Sequence, residues 1–471
     1  MGSTHMNITR RACITGLPVA ALWARSRTSG AEASESELIV TGTRAALERT
    51  LYAALRERAY PGQFTVTADA GKYGESTWAG QDNWAMAGAY LLAGRHREVL
   101  DYFDFVQASQ RKDGNIPFVI VSAEKPPSPR SLQTWHRGLR YPEDVYVYRP
   151  AVRPGQPDHA DMRARKWIGL FVHWQMKANP LGVLAPVCYI MTAAEIFAAT
   201  KSQEWLRQKL DSLEAAGKHV LSRKDPNGLL GGAGFYLESI PRNQWDGVAQ
   251  CYGVRTFREL ARLTGAVGNY DAQAFWNGQA DRLAARFRDV FWKRDHFAEY
   301  VHPERGVVDL HGLSEVNWAA VGLGLATDKQ IKVLWPILMD EKNFWRGGMP
   351  TQLVTHPDSY EQWEYPEPLP FPYSNFMFDV AAMGRVWYLE VLACVRMGEK
   401  RRLRQAVINV CRMAQKSDWF WHERYHADGP DSVKPEGAYR YCEYPAVLAR
   451  TVLGNTHIFP EAGSVLNKRG T

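Results

Sequence analysis

An all-α toroid of inner and outer helices, the (α/α)6 plan, is the fold class this sequence predicts, on three observations. Helical stretches are joined alternately by very short and very long connectors, helices with one wet face neighbour helices that are apolar nearly all round, and strand signals are few. A short joint makes two helices antiparallel neighbours, so strict alternation sends every long connector to one end of the molecule. That end is the expected functional face.

The short joints are Gly94-Arg95, Thr200-Lys201, the stretch from Thr264 to Tyr270, Thr327-Asp328 and Gly398-Glu399. The long segments are 60–79, 111–183, 223–246, 293–312, 340–374 and 417–437. Helical hairpins are read over 80–94 with 96–110 and over 247–265 with 269–292, where Leu283, Phe287, Val290 and Phe291 mark one buried stripe. Leu403, Val407, Val410, Cys411 and Ala414 recur at helical spacing with Arg401, Arg402 and Arg404 on the other side, the pattern of an outer helix. Its predecessor, Phe376 to Val395, is apolar nearly all round, as a helix buried on both sides would be. The count is about thirteen helices against the dozen of a six-hairpin ring; the surplus is assigned to Asp161–Lys177 inside the 111–183 connector. Phe64–Thr67, Ile116–Val121 and Tyr146–Tyr148 read as short strands decorating the long-loop face.

Composition sets the remaining bounds. The 471 residues are 45% hydrophobic and 23% charged, and no composition break marks a linker, so residues 31–471 are read as one domain. MGSTHM resembles an expression remnant; Arg10-Arg11 ahead of the weakly apolar Cys13–Ala24, too short to span a bilayer, resembles a twin-arginine signal for export to the periplasm or beyond. The net charge of +7, less the four arginines of residues 1–30, is +3 and offers no basic stripe for nucleic acid. Cys188, Cys251, Cys394, Cys411 and Cys442 are odd in number and lack CxxC spacing, so free thiols are expected rather than disulfides or a zinc site. His296, His302 and His311 share a loop without metal-ligand spacing. His422 and His426 are read as loop residues because of Gly429 and Pro430. No cofactor, metal or membrane partner is expected.

Three long-loop segments concentrate chemistry. The first runs Trp78, Asp82, Asn83, Trp84 and, one hairpin later, Gln110-Arg-Lys-Asp113-Gly-Asn-Ile116-Pro117. The second runs Asp225-Pro-Asn227-Gly228-Leu229, Glu238-Ser239 and Trp245-Asp246-Gly247, then Gln250 and Tyr252 at a helix start. The third runs Trp419, Trp421, Glu423, Arg424, Tyr425, then Glu436-Gly437 and Tyr441-Cys-Glu443-Tyr444.

This order of motifs resembles the six-hairpin glycoside hydrolases: the trehalase, processing α-glucosidase, amylo-α-1,6-glucosidase and α-L-rhamnosidase group. The resemblance covers most of residues 70–455. It implies a general acid at the Asp of an E-S-G-W-D motif and a general base at the Glu of a C-terminal E-(K/N)-Y motif. Trp245-Asp246 and Glu238-Ser239 match the first, with six residues between Ser239 and Asp246 where the family has two, so either Asp246 or Glu238 is the acid. Glu423-Arg424-Tyr425 matches the second without a gap. The resemblance further implies sugar contacts at Trp78, Asp82 and Trp84 and at Gln250 and Tyr252. Trp245, Trp421, Tyr425 and Glu443 complete the candidate substrate-binding set.

Glycosidic cleavage passes through an oxocarbenium-like state, so a carboxylic acid must protonate the leaving oxygen while a carboxylate on the opposite face activates water. One must be held neutral by burial and the other ionised. The expected activity is inverting, exo-acting hydrolysis of an α-linked glycoside or oligosaccharide. Asp246 also stands where a helix N-cap would stand, and Glu423 beside Arg424 also fits an ion pair. The alternatives are a polysaccharide lyase or sugar epimerase on the same toroid, using His136, Arg140, Tyr146, His173 and Tyr252, or a non-catalytic sugar-binding protein.

Overall fold

The computed structural model describes residues 35–56, 62–68, 76–80, 82–123, 145–149, 169–174, 182–232, 244–340, 344–356, 361–364, 381–429 and 431–466. Among them are thirteen helices, twelve of which form the ring. The outer helices are α1 (35–56, with a π-helical turn at Ala46–Leu51), α3 (His96–Gln107), α5 (Gln203–Ser222), α7 (Tyr270–Phe291), α9 (Asp328–Leu338) and α11 (Lys400–Gln415). The inner helices are α2 (Asp82–Leu92), α4 (Leu184–Thr200), α6 (Gly247–Ala266), α8 (Glu315–Gly322), α10 (Gly384–Met397) and α12 (Glu443–Gly454). Each inner helix packs on the next, and α12 packs back on α2, which closes the ring. A short α13 (Ala462–Leu466) follows it. No described helix is long and apolar enough to cross a membrane.

Sequence explains which helix goes where. From Leu184 to Ala194 every residue of α4 is buried, because packing on both sides requires apolar groups all round. Outer α11 buries Leu403, Val407, Val410 and Cys411 on one stripe and leaves Arg401 in solvent, but Arg402, expected on the wet side, is buried and paired with Glu390 at 2.7 Å. Each inner helix before α12 turns into its outer neighbour through two to five residues. Lys201 (φ 55°) and Gly398 (φ 70°) end α4 and α10 in the left-handed conformation, and Ser202, Asn269, Thr327 and Glu399 cap the following helices.

Every long connector therefore runs from an outer helix to the N-terminus of an inner one, at the same end. Three antiparallel sheets stitch these connectors in pairs. β1 (Ser76–Thr77) joins β2 (Val119–Ala123), β4 (Gly169–His173) and β3 (Val145–Arg149) in the order β1-β2-β4-β3. β5 (Trp245–Asp246) pairs with β6 (Tyr300–His302) and β7 (Gly306–Val308). β8 (Ala382–Met383) pairs with β9 (His422–Ala427) and β10 (Val433–Tyr439). Isolated bridges Thr67 to Tyr441 and Ser314 to Val354 link one pair to the next.

Three further expectations change. Of the segment Asp161–Lys177, expected to be helical, only residues 169–174 are described, and Gly169–His173 of these form strand β4, where Leu170, Val172 and His173 are buried. The segment 422–427 is a strand rather than a loop, and Phe64–Thr67 contributes one bridge rather than a strand. The five described cysteines are buried thiols outside any disulfide.

Candidate active site

The inner-helix N-termini gather charge at the long-loop end. Asp82, Glu315 and Glu443 are the first residues of α2, α8 and α12, Asp246 caps α6, and Arg385 is the second residue of α10. The positive end of a helix dipole favours the carboxylates and disfavours the guanidinium. Arg385 is held there by charge: its Nε lies 2.5 Å from Glu443 Oε1 and an Nη 3.3 Å from Asp82 Oδ1. Tyr441 donates its hydroxyl to the other Asp82 oxygen at 2.8 Å.

Burial dominates the electrostatics of this group. Desolvation pushes the Glu443 carboxyl up to about 8 against the pull of Arg385, and raises Asp82 likewise, with the Glu423 charge adding to both. Burial thus biases Glu443 toward its protonated form, against the ion pair with Arg385. Its backbone partner is the Gly384 N–H, 3.1 Å away, in a packing so close that a Cβ on Gly384 would lie 2.8 Å from Glu443 Cγ. Because the folded-state value is raised, Glu443 contributes stability fully below pH 4.5 and loses it as pH rises toward 8. Glu443→Gln removes that loss, so its melting temperature relative to wild type should climb between pH 5 and pH 8. A flat difference across that range would contradict the assignment.

Glu423 enters from β9. Arg424 and Tyr425 pair with Met383 and Ala382, which sets Glu423 beside the start of α10. Its Oε2 accepts the Ala438 N–H at 3.0 Å from β10, and its Oε1 lies 3.6 Å from Arg424. Gly437 (φ 78°) makes room: a Cβ there would lie 2.6 Å from Glu423 Oε2. Gly437→Ala adds left-handed strain of about 1–2 kcal/mol and shifts the carboxylate. If Glu423 takes part in catalysis, a displacement of about 1 Å should lower turnover on the order of a hundredfold, while the melting temperature drops only a few degrees.

Asp246 is fully buried, and its Oδ2 accepts the Ala249 N–H at 2.9 Å, so the N-cap is real. Burial pushes the nearby Cys251 thiol well above its usual range, and the Asp246 and Glu315 charges add to that. Tyr252 is raised mainly by burial, and the charges of Arg385 and Glu315 also act on it. Asp246 and Glu423 thus lie at the same end of the ring.

Other sequence candidates are occupied by the protein itself. Gln250 accepts the Leu230 N–H and donates to the Leu230 and Asp246 carbonyls, at 2.8–2.9 Å, so it fastens a connector. Trp421 is 0% exposed and donates to the Val410 carbonyl, which leaves no face for a sugar. Tyr425 is equally buried, with its hydroxyl accepting the His422 N–H. All three are engaged by hydrogen bonds within the fold. Trp84 donates to Glu195 at 2.8 Å and meets Tyr252 and Tyr388 edge-on, forming an aromatic plug between inner helices. Trp78 and Trp245 remain half-buried at the rim. Glu238, Ser239, His136 and Arg140 lie outside the described residues, and Tyr146 is described only as part of strand β3. His173 is buried against Phe118. Arg385 and Glu315 belong to this charged cluster and were not singled out by sequence reasoning, although a cation at the start of an apolar helix is a legible signal.

No family model matches the chain, and no curated protein is similar to it. Solved structures are. A wild-type glycosidase superposes with a TM-score of 0.58 at 11% identity over 91% of this chain and 99% of that one. An uncharacterized conserved protein from Thermus thermophilus gives 0.55 at 11% identity over 86% and 98%. A rhamnosidase from Klebsiella oxytoca with rhamnose bound gives 0.51 at 11% identity over 87% of this chain and 63% of that one. At such identities the likeness is one of fold, and the chain shares the all-α, six-hairpin (α/α)6 toroid of these glycosidases.

Proposed function

We propose that the protein is a glycoside hydrolase that removes an α-linked sugar with inversion, Glu423 activating water and Asp246 protonating the leaving oxygen. The observation that carries the reading is the gathering of buried carboxylates at the long-loop end of the ring, two of them aimed by backbone N–H groups rather than by mobile side chains. Such fixed hydrogen bonds hold a reacting group in place at no reorganisation cost. Asp82, Arg385 and Glu443 supply a donor and acceptor set suited to sugar hydroxyls. Solved relatives of this fold include a glycosidase variant in complex with glucose and the rhamnose-bound rhamnosidase, which motivates both sugars as first probes. Export through the residue 7–30 signal and a single catalytic domain belong to the same reading.

The test is a panel of 4-nitrophenyl α-glycosides and α-linked oligosaccharides, with the first-formed anomer followed by NMR. Release of the anomer opposite to the substrate's supports inversion. Unsaturated uronate product absorbing in the ultraviolet would assign a lyase instead, and binding without turnover would assign a sugar-binding protein.

A further inference from the structure

A three-residue helical turn, Gln362–Glu364, lies in the connector between α9 and α10 and is bolted to the β6–β7 connector. Glu364 is 1% exposed; it accepts the Tyr300 hydroxyl at 2.5 Å and the Glu361 N–H at 2.6 Å, and its Oε2 lies 3.3 Å from His311 Nε2. The other His311 nitrogen is 2.7 Å from Glu299. Although burial works against the charged imidazole, its bonds to Glu299 and Glu364 hold His311 up at about 10, so the clamp is ionic across the neutral range.

The clamp fixes what lies beside it. Tyr300 pairs with Asp246 across β5 and β6, so their side chains share one face of the sheet, and His302, two residues on, shares it too. His302 meets the ring of Trp363 edge-on at 5.6 Å, and Arg305 from the β6–β7 turn covers it at 4.0 Å. The indole N–H is donated to Glu361 at 2.5 Å. Trp363 nevertheless stays half-buried, a large aromatic held in one orientation with solvent-facing surface. His302 is about 7 Å along the strand from the partner of Asp246, a reach that the second and third units of a sugar chain cover.

We propose that Trp363, with Arg305 and His302, is a stacking platform for the leaving-group portion of the substrate, so that this enzyme takes oligosaccharides in preference to short glycosides. Sugar rings present apolar faces that stack on indole, and the guanidinium donates to their hydroxyls. The proposal rests on the hydrolase reading and on Asp246 as the acid.

The experiment compares wild type with Trp363→Ala on the 4-nitrophenyl glycoside and on oligosaccharides of two to six units, for the sugar that the panel shows to be cleaved. Expected is a fall in kcat/KM for the tetrasaccharide about tenfold greater than for the aryl glycoside, equivalent to about 1.4 kcal/mol, carried by KM. Trp363→Phe should recover most of it. Arg305 is exposed, so Arg305→Ala cannot upset the core, and it should shift the same ratio by about threefold if Trp363→Ala fails to fold. An unchanged ratio in the folded variants overturns the platform while leaving hydrolysis intact. If wild type cleaves no member of the panel, the hydrolase reading itself falls and takes the platform with it.

Discussion

Glu423→Gln is expected to lower kcat by about a thousandfold, the range a general base supplies, while sugar affinity measured by calorimetry stays within about threefold. The amide keeps an oxygen to accept the Ala438 N–H, so the β9–β10 hairpin retains its geometry and only the proton acceptor is lost. Asp246→Asn should behave differently. The aryl glycoside, whose leaving group needs little protonation, should keep most of its rate, whereas the natural glycoside should lose it. Near wild-type turnover of Glu423→Gln on both would remove Glu423 from the mechanism.

The ring was legible because it rests on chain physics alone. Short joints force antiparallel neighbours, and the residues that form them here, Gly94 and Gly398 at positive φ among them, are the ones the pattern singles out. The rim was less legible. Trp-Ile-Gly-Leu-Phe-Val-His-Trp over 167–174 is an apolar run that periodicity does not assign to helix or strand, and β4 shows that pairing with β2 and β3 decided it. The β9–β10 hairpin carried its own signal in Asp428-Gly429, a turn dipeptide between two strand-length runs. Aromatic content alone did not separate Trp421, which packs onto outer α11, from Trp363, which does not, because sequence shows residue type but not which side of a connector faces the core.

Replacing Arg385 by leucine should give the largest loss of stability. It removes the only cation in salt-bridge contact, among the described residues, with the Asp82 and Glu443 carboxylates, which are 1% exposed each and cannot turn to solvent. Breaking a buried pair in this way costs about 3–5 kcal/mol when the orphaned charge stays. The carboxylates will instead take up protons more readily, since Arg385 is the main charge opposing their desolvation. Both folded-state values then rise further, and stability tied to a raised value is present at low pH and lost as pH increases. The variant should accordingly melt close to wild type near pH 4.5 and progressively below it toward pH 8. Adding Glu443→Gln should recover part of the deficit at pH 8 and little at pH 4.5. Arg385→Lys keeps the charge without the fork that spans two carboxylates, so its deficit should fall between the two. A pH-independent deficit in Arg385→Leu would show that the guanidinium acts by packing and not by charge.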